Sequence, residues 1–268
     1  METGARDGKR VVLIKGAGDL ASGVGLRLHR AGFRVAMTDI PLPTAIRRSV
    51  SFCPAVTQGE AQVEDVTGRL AKAPAEAETI WARGEIPVFI DPGAECRHFL
   101  RPAVLVDAIL AKANLGTSIG DAPIVIALGP GFTAGVDCHA VIETMRGHNL
   151  GRVYYQGSAL PNTGVPGDVG GYTKERVMHA PAAGVFRGIH KIGDQVEAGE
   201  AIGLVGDTPV RTQISGVLRG ILADGLEIPL GMKCADVDPR CQPANCFTVS
   251  DKARSLGGAV LEAILHFS

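Results

Sequence analysis

The chain has 268 residues, which is enough for two compact domains and too long for a small disulfide-stapled module. Lysine and arginine number 27 and aspartate and glutamate number 28, so the net charge of −1 gives no overall field that would hold nucleic acid or an anionic membrane. Hydrophobic residues make up 46 % of the chain, which excludes a disordered protein, and no apolar run approaches the ~20 residues of a membrane span.

The first ten residues are polar and lead directly into an apolar segment. They lack the apolar core of a signal peptide, so we expect a cytoplasmic protein. Its six cysteines would then be reduced, and the spacing of Cys234, Cys241 and Cys246 matches no common zinc or iron–sulfur pattern. We therefore predict no metal site, and the role of these three thiols stays open.

The N-terminal segment predicts a strand–helix–strand unit. Residues 11–14 form an apolar run typical of a strand buried on both faces, and residues 19–31 carry apolar side chains at helical spacing up to Gly32. A second strand is predicted over residues 33–38 and ends at Asp39. This order is that of a right-handed βαβ unit.

Further short apolar segments follow and several end in Asp or Gly. They cover residues 49–56, 85–90, 103–106, 122–128, 141–143 and 152–155. Such alternation predicts an α/β fold with a Rossmann-like parallel sheet over residues 1–175, whose functional loops lie at the carboxyl ends of the strands. A division of this domain into two α/β subdomains near residues 110–120 stays open.

The pattern changes in the turn-rich segment 162–171, which we interpret as a linker. Residues 176–232 have period two, and residues 189–203 resemble strands of biotinyl and lipoyl carrier domains. The resemblance implies a small all-β barrel-sandwich-hybrid-like module, whose hairpin over 205–211 lacks the lysine that would carry a prosthetic group. We expect residues 231–240 and the cysteine loop after them to be irregular, and we predict a helix over 253–267. The cysteine loop and this helix, residues 233–268, are expected to pack back on the α/β domain.

A glycine-rich turn joins the first predicted strand to the first predicted helix. Gly16 permits a tight turn, and Gly18 would let a ligand phosphate approach the backbone. Asp39 lies where an acid would bind a ribose 2′-hydroxyl, whereas the carboxylate of Asp19 opposes phosphate binding at the helix start. We take Gly16, Gly18, Asp19 and Asp39 as candidate cofactor-binding residues, and a turn kept only for packing stays open.

A second glycine-rich loop, with Gly129 and Gly131, follows the apolar segment 122–128. We add both glycines to the cofactor-binding candidates, because ionisable residues follow closely along the chain. The candidate catalytic residues are Cys138, His139, Glu143, Arg146 and His148. The alternative is a rigid turn followed by a solvated polar segment.

Six motifs together resemble the YqeB family, accessory proteins of selenium-dependent molybdenum hydroxylase systems. They cover residues 15–23, 47–52, 128–135, 141–148, 162–167 and 235–240. The resemblance implies a maturation factor that binds or delivers the molybdenum cofactor or a selenium species to a hydroxylase apo-enzyme. Cys138 and the C-terminal thiols are candidates to hold or relay a chalcogen in such a role, since thiolates are soft nucleophiles, and a structural free cysteine is the alternative.

Two other functions stay open at this point. One is an NAD(P)-dependent oxidoreductase in which Asp39 selects the ribose, and the other is a non-catalytic adaptor that docks on the hydroxylase through residues 178–232. Whether the chain is an enzyme is left undecided, and the candidate ligands are a molybdopterin-type pterin nucleotide and NAD(P). Neither nucleic acid nor a membrane is expected as a partner. The oligomeric state stays open, with a homodimer as one candidate.

Overall fold

The computed structural model describes residues 10–268, which divide into two compact units. The first unit consists of the chain up to Pro43, Ser51–Asn162 and Ser250–Ser268, and the second of Thr44–Val50 and Thr163–Val249. The expectation about a signal peptide concerns residues that, apart from Arg10, lie outside this range.

The first unit is a mixed α/β structure built on one large sheet. Its strands are β1 (Val11–Lys15), β2 (Arg34–Asp39), β3 (Glu60–Val63), β4 (Val66–Ala71), β5 (Ile86–Ile90), β6 (Val104–Asp107), β7 (Ile124–Leu128), β8 (Ala140–Ile142) and β9 (Val153–Tyr154). Its helices are α1 (Asp19–Arg30), α2 (Ala55–Gln58), α3 (Ala77–Ala82), α4 (Arg97–Leu100) and α5 (Asp251–His266).

The strand order in the large sheet is β3-β4-β5-β2-β1-β6-β7-β8-β9. Every neighbouring pair from β4 to β8 is parallel, while the edge strands β3 and β9 are antiparallel to their neighbours. The central strand β1 is an apolar run because both faces of a covered parallel sheet are buried. The carboxyl ends of the parallel strands therefore meet at one edge of the sheet, which we call the carboxyl edge.

Helices α1 and α5 pack on each other beside the large sheet. A Cβ atom built on Gly25 of α1 would lie 3.2 Å from Met37 Sδ of β2, so a small residue lets this helix approach the sheet. Gly257 of α5 has the same role against α1, since its built Cβ would lie 2.8 Å from Arg27 Cβ. On the opposite face of the sheet, Leu13, Leu105 and Val125 join a second core cluster.

The second unit contains two separate antiparallel sheets around one core. Its strands are β10 (Val177–His179), β11 (Gly184–Gly188), β12 (Gln195–Val196), β13 (Ala201–Val205), β14 (Thr208–Arg211), β15 (Gly216–Ile221), β16 (Glu227–Ile228) and β17 (Lys233–Asp238). The sheet orders are β10-β17-β15-β12 and β14-β13-β11-β16. Phe186, Ile202 and Leu218 are among the buried side chains that fill the core of this unit.

Two local predictions are wrong. Residues 49–56, predicted as a strand, form a 3₁₀ turn over Arg48–Val50 and then α2, because Pro54 takes a helical φ of −60° just before that helix. Residues 231–240, predicted as irregular, contain β17, which pairs with β10 and β15. Two acidic residues, Asp236 and Asp238, interrupt the apolar pattern by which a strand is recognised in the sequence. In the structure both are buried, and arginines neutralise their charges.

Within the described residues, no helix has the length and apolar character needed to cross a membrane.

Candidate functional site

A buried pair of opposite charges lies at the carboxyl edge, where β1 and β6 end side by side. Lys15 and Asp107 are register partners and the last residues of their strands. Lys15 Nζ lies 3.8 Å from Asp107 Oδ2, and the two side chains are 3 % and 2 % exposed. Each charge is therefore compensated by the other in a region with little water.

Thr117 links these two charges. Its hydroxyl accepts a hydrogen bond of 2.7 Å from Lys15 Nζ and donates one of 2.5 Å to Asp107 Oδ2. Asp107 also accepts from the backbone N–H of Ile109 at 3.2 Å. Sequence analysis did not select Lys15 or Thr117, and the available signal was a lysine that ends an otherwise apolar strand.

The turn between β1 and α1 lies next to this pair and is organised by Asp39. Asp39 Oδ2 accepts from the backbone N–H of Ala17 at 2.9 Å, and its Oδ1 accepts from Ile40 N–H at 2.8 Å. Burial raises the pKa of Asp39, although these two hydrogen bonds oppose the shift. The structure thus brings Asp39 to the glycine turn, where one of its functions is to hold the backbone.

The two glycines of this turn have different backbone requirements. Gly16 has a φ of +97°, and a Cβ atom there would lie 3.0 Å from Ala108 O, so this position needs glycine for both reasons. Gly18 is the residue before α1 and has a φ of −69°, which any residue can adopt. Asp19 begins α1 and supplies the acidic group of its first turn. Substitution of Gly18 therefore tests whether a ligand has to approach the backbone closely, without adding backbone strain.

The second glycine loop lies at the same edge and packs against protein. A Cβ atom on Gly129 would lie 2.7 Å from Thr144 Oγ1, and one on Gly131 would lie 2.6 Å from Ala113 Cα. Both glycines have positive φ angles, of +82° and +105°. Their conformation and close contacts explain both glycines without a ligand, and their role in cofactor binding stays a prediction.

The candidate catalytic residues do not form one cluster. His139 precedes β8 and its N–H donates to Val125 O near the start of β7, whereas Glu143 follows β8 at the carboxyl edge. The three residues of β8 lie between the two, and four residue steps along a strand correspond to about 13 Å. Cys138 is next to His139 in sequence, and its buried thiol packs in the core on one face of the sheet, near the backbone of Ala127 in β7.

Cys138 and His139 are each held by their surroundings. The side chain of Cys138 is fully buried, and burial together with the charge of Asp137 raises the pKa of its thiol to about 12. His139 Nδ1 accepts a hydrogen bond of 2.9 Å from the backbone N–H of Val125. A buried thiol with a raised pKa disfavours nucleophilic or chalcogen-relay chemistry.

Glu143, Arg146 and His148 have three different environments. Glu143 is fully buried and its carboxylate accepts from the backbone N–H groups of Met145 and Leu160 at 2.7 and 2.9 Å, so it anchors two loops. Arg146 makes a bidentate pair with Asp251 of α5, with both distances 2.8 Å. His148 is exposed and lines an open depression of about 300 Å³ over residues 148–152.

The three C-terminal cysteines, whose role the sequence leaves open, differ in exposure. Cys234 and Cys246 are buried, whereas Cys241 is exposed. Within residues 10–268, no three or more histidine, cysteine, aspartate or glutamate side chains are arranged to hold a metal ion.

The chain is 53 % identical over 258 residues to "Uncharacterized protein YqeB" of Escherichia coli (strain K12). The match covers 96 % of this chain and 48 % of that protein, so the chain spans about half the length of its relative. This identity supports the YqeB family. No protein-family model matches this YqeB-like chain.

Two solved structures are distant from the YqeB-like chain. An aspartoacylase family protein from Mesorhizobium loti matches 85 % of this chain and 84 % of its own length at 10 % identity, with a TM-score of 0.27. A succinylglutamatedesuccinylase/aspartoacylase from Rhodobacter sphaeroides matches 24 % of this chain and 21 % of its own at 21 % identity, with a TM-score of 0.22. Scores this low carry no argument about fold or activity.

Proposed function

We propose that the chain is an accessory protein of a selenium-dependent molybdenum hydroxylase system, and that it binds a nucleotide-like ligand at the carboxyl edge of the large sheet. The ligand class is a molybdopterin-type pterin nucleotide, which would be delivered to the hydroxylase apo-enzyme. The hydroxylase system and the pterin come from the motif resemblance to the YqeB family, and the site itself supports a nucleotide-like ligand.

The parallel strand order is the observation that carries the ligand assignment. The order β5-β2-β1-β6-β7-β8 runs outward from β1 in both directions, as in a Rossmann-like sheet. The chain runs from β1 to β2 and from β6 to β7, so the connections after the adjacent strands β1 and β6 lead in opposite directions along the strand order. Such a point is a topological switch point, and ligands of such sheets bind in the crevice there. Lys15, the Gly16–Gly18 turn and Asp107 all lie there.

Asp39 supports a ligand that contains a sugar. A carboxylate oxygen has two lone pairs, so the hydrogen bonds from Ala17 and Ile40 leave acceptor capacity for a ribose hydroxyl. The same feature favours the second candidate function, an NAD(P)-dependent oxidoreductase. The two functions differ in the ligand, and identification of the ligand separates them.

The second unit supports an adaptor role or a rigid docking module. Its two four-stranded antiparallel sheets are consistent with a barrel-sandwich-hybrid-like fold. The hairpin between β13 and β14 carries no lysine at its tip, residues 205–208, so it cannot bear a biotinyl or lipoyl group. We assign to this unit, as a proposal, contact with the hydroxylase.

Substitution of Gly18 tests the proposal. We expect Gly18→Val to fold, because the backbone at this position suits any residue, and to lose ligand binding because its side chain blocks the approach of a phosphate. The readout is the hydroxylase activity recovered when apo-enzyme is matured with each variant, and Gly258→Ala on α5 is the matched control. Full maturation by Gly18→Val would contradict a ligand site at this turn, and retained hydroxylase binding would then favour the adaptor.

A further inference from the structure

The ammonium group of Lys15 is buried with unused hydrogen-bonding capacity. An ammonium has three N–H donors, and within residues 10–268 Thr117 Oγ1 is the one hydrogen-bond acceptor of Lys15 Nζ. Asp107 Oδ2, at 3.8 Å, compensates the charge but is too distant for a direct hydrogen bond. Burying donors without acceptors is unfavourable, so this position suits a further acceptor.

The position of Lys15 defines what that acceptor would be. Lys15 immediately precedes Gly16, and the backbone N–H groups of the glycine turn and of the first turn of α1 follow it. A buried lysine at the carboxyl edge of a parallel sheet, where ligands of such sheets bind, suits a phosphate or pyrophosphate group. The buried lysine, and not the helix end alone, points to an anion.

The segment that carries Thr117 covers this position. We call residues 108–117 the strap. It passes between the two glycine loops, because Ala108 O is 3.0 Å from a Cβ atom built on Gly16 and Ala113 Cα is 2.6 Å from one built on Gly131.

The strap combines local strain with a specific anchor. Leu110 and Lys112 have φ angles of +61° and +64°, a left-handed region that side-chain-bearing residues adopt only with backbone strain. Asn114 Oδ1 accepts from the N–H groups of Gly116 and Thr117 at 2.9 and 2.7 Å, which directs Thr117 to Lys15. The strap is thus closed by side-chain contacts at its end and strained in its middle.

We propose that Lys15 binds a phosphate or pyrophosphate group of the ligand and that the Thr117 hydroxyl occupies this position until the ligand displaces it. The proposal rests on the nucleotide-like ligand of the proposed function and names the ligand group that the site recognises. Displacement of Thr117 leaves Asp107 with Ile109 N–H and with the charge of Lys15. The strap therefore opens when the anion enters.

Titration of the full chain with inorganic pyrophosphate by calorimetry tests this assignment. Thr117→Val keeps the shape of the side chain but removes the competing hydroxyl, so we expect it to bind pyrophosphate about tenfold more tightly than the wild type, as loss of one competing hydrogen bond predicts. Thr117→Ser retains the hydroxyl and should bind like the wild type. A merely structural Thr117 would not give a gain in affinity.

A second test removes the charge of Lys15 together with that of its partner Asp107. Lys15→Met with Asp107→Leu replaces the buried pair by apolar side chains, which preserves folding more often than removal of one charge. This double variant should lose pyrophosphate binding, while Lys72→Met, at an exposed lysine of the same unit, should not. Circular dichroism of each variant verifies that it is folded.

Three results of the pyrophosphate titrations would overturn the proposal. The first is equal or weaker pyrophosphate binding by Thr117→Val relative to Thr117→Ser, and the second is wild-type binding by the folded double variant. The third is the absence of pyrophosphate binding by the wild type and by Thr117→Val. Titration with ADP, a nucleotide that carries a pyrophosphate, separates failure of this proposal from failure of the proposed function. If ADP binds the wild type and the double variant equally, the Lys15 assignment fails and the proposed function stands. If neither ADP nor pyrophosphate binds any variant, both fail.

Discussion

Lys15 and Asp107 end two adjacent parallel strands in register, and their charged groups lie 3.8 Å apart with almost no exposure to solvent. Charged side chains are rarely buried in this way unless they are paired. The pair lies at the point from which the sheet extends in both directions, where doubly wound sheets bind ligands. It is therefore the feature from which the account of this site is built.

Breaking the pair should destabilise the protein strongly. Lys15→Met leaves a buried carboxylate without its cation, so we expect the free energy of unfolding to fall by about 3–5 kcal/mol. The addition of Asp107→Leu should recover most of this loss. Urea denaturation of the two variants measures both values, and a double variant no more stable than Lys15→Met would contradict a paired role.

Two adjacent glycines of α5 should respond in opposite directions to alanine. A Cβ atom on Gly257 would lie 2.8 Å from Arg27 Cβ and 3.0 Å from Gly23 O of α1, whereas one on Gly258 would meet nothing within 4 Å. Gly257→Ala should therefore lower the thermal midpoint by forcing the helices apart. Gly258→Ala should raise the stability by about 0.5–1 kcal/mol, since alanine favours a helix over glycine.

The thermal midpoints of these two variants, measured together, test the packing of α5 on α1. Equal effects of the two substitutions would contradict the close approach of the helices at Gly257.

Asp39 should make stability depend on pH in a specific direction. Burial raises the pKa of Asp39 above its ordinary value of 3.8, so the folded state holds the proton more tightly than the unfolded state. The free energy of unfolding therefore loses a contribution as pH rises from about 4 through the raised pKa. Asp39→Asn lacks this contribution, although its single acceptor oxygen for two backbone donors adds a penalty that does not vary with pH.

Urea denaturation of the wild type and Asp39→Asn between pH 4 and pH 7 measures this effect. We expect the stability difference to shift in favour of the variant as pH rises. A constant difference, or a shift in favour of the wild type, would show that Asp39 is not held as the structure describes.

The cysteines should differ sharply in reactivity. Cys241 is exposed, whereas the other five cysteines are buried. Burial also raises the pKa of Cys138 to about 12 and that of Cys234 to about 11. A thiol-specific chromogenic reagent at pH 8 should therefore modify one thiol in the folded chain and six in denaturant, because the thiolate is the reactive form.

Cys241→Ser identifies the reactive thiol, since it should abolish the rapid phase. Rapid modification of Cys138 in the folded wild type would restore it as a nucleophile and contradict its buried position.

Several strands and helices of the first unit could be predicted from the sequence because their patterns are local. The apolar run of β1, the glycine turn, helix α1 and Asp39 at the end of β2 follow one another within about thirty residues, and each has a recognisable pattern. β17 could not be predicted in this way. Its Asp236 and Asp238 break the apolar pattern. Their burial is made favourable by Arg176 and Arg219, which lie elsewhere in the chain, and by Arg240, two residues after β17 ends.

The residues of the candidate site could not be predicted from local patterns either. Proximity in sequence suggested that Cys138, His139 and Glu143 act together, but an intervening strand extends the chain between His139 and Glu143. Lys15 and Thr117 are 102 residues apart and meet only through the pairing of β1 with β6. Contacts of this kind depend on sheet order, which no local pattern specifies.

The most direct test of the nucleotide-ligand account is the mass of the untreated, purified protein, compared under native and denaturing conditions. We expect a native mass that exceeds the denatured mass by that of a pterin nucleotide, and loss of this difference in Gly18→Val. A difference equal to the mass of NAD(P) would instead identify the oxidoreductase. Equal native and denatured masses, with no nucleotide or pyrophosphate bound on titration, would contradict a ligand site at the carboxyl edge.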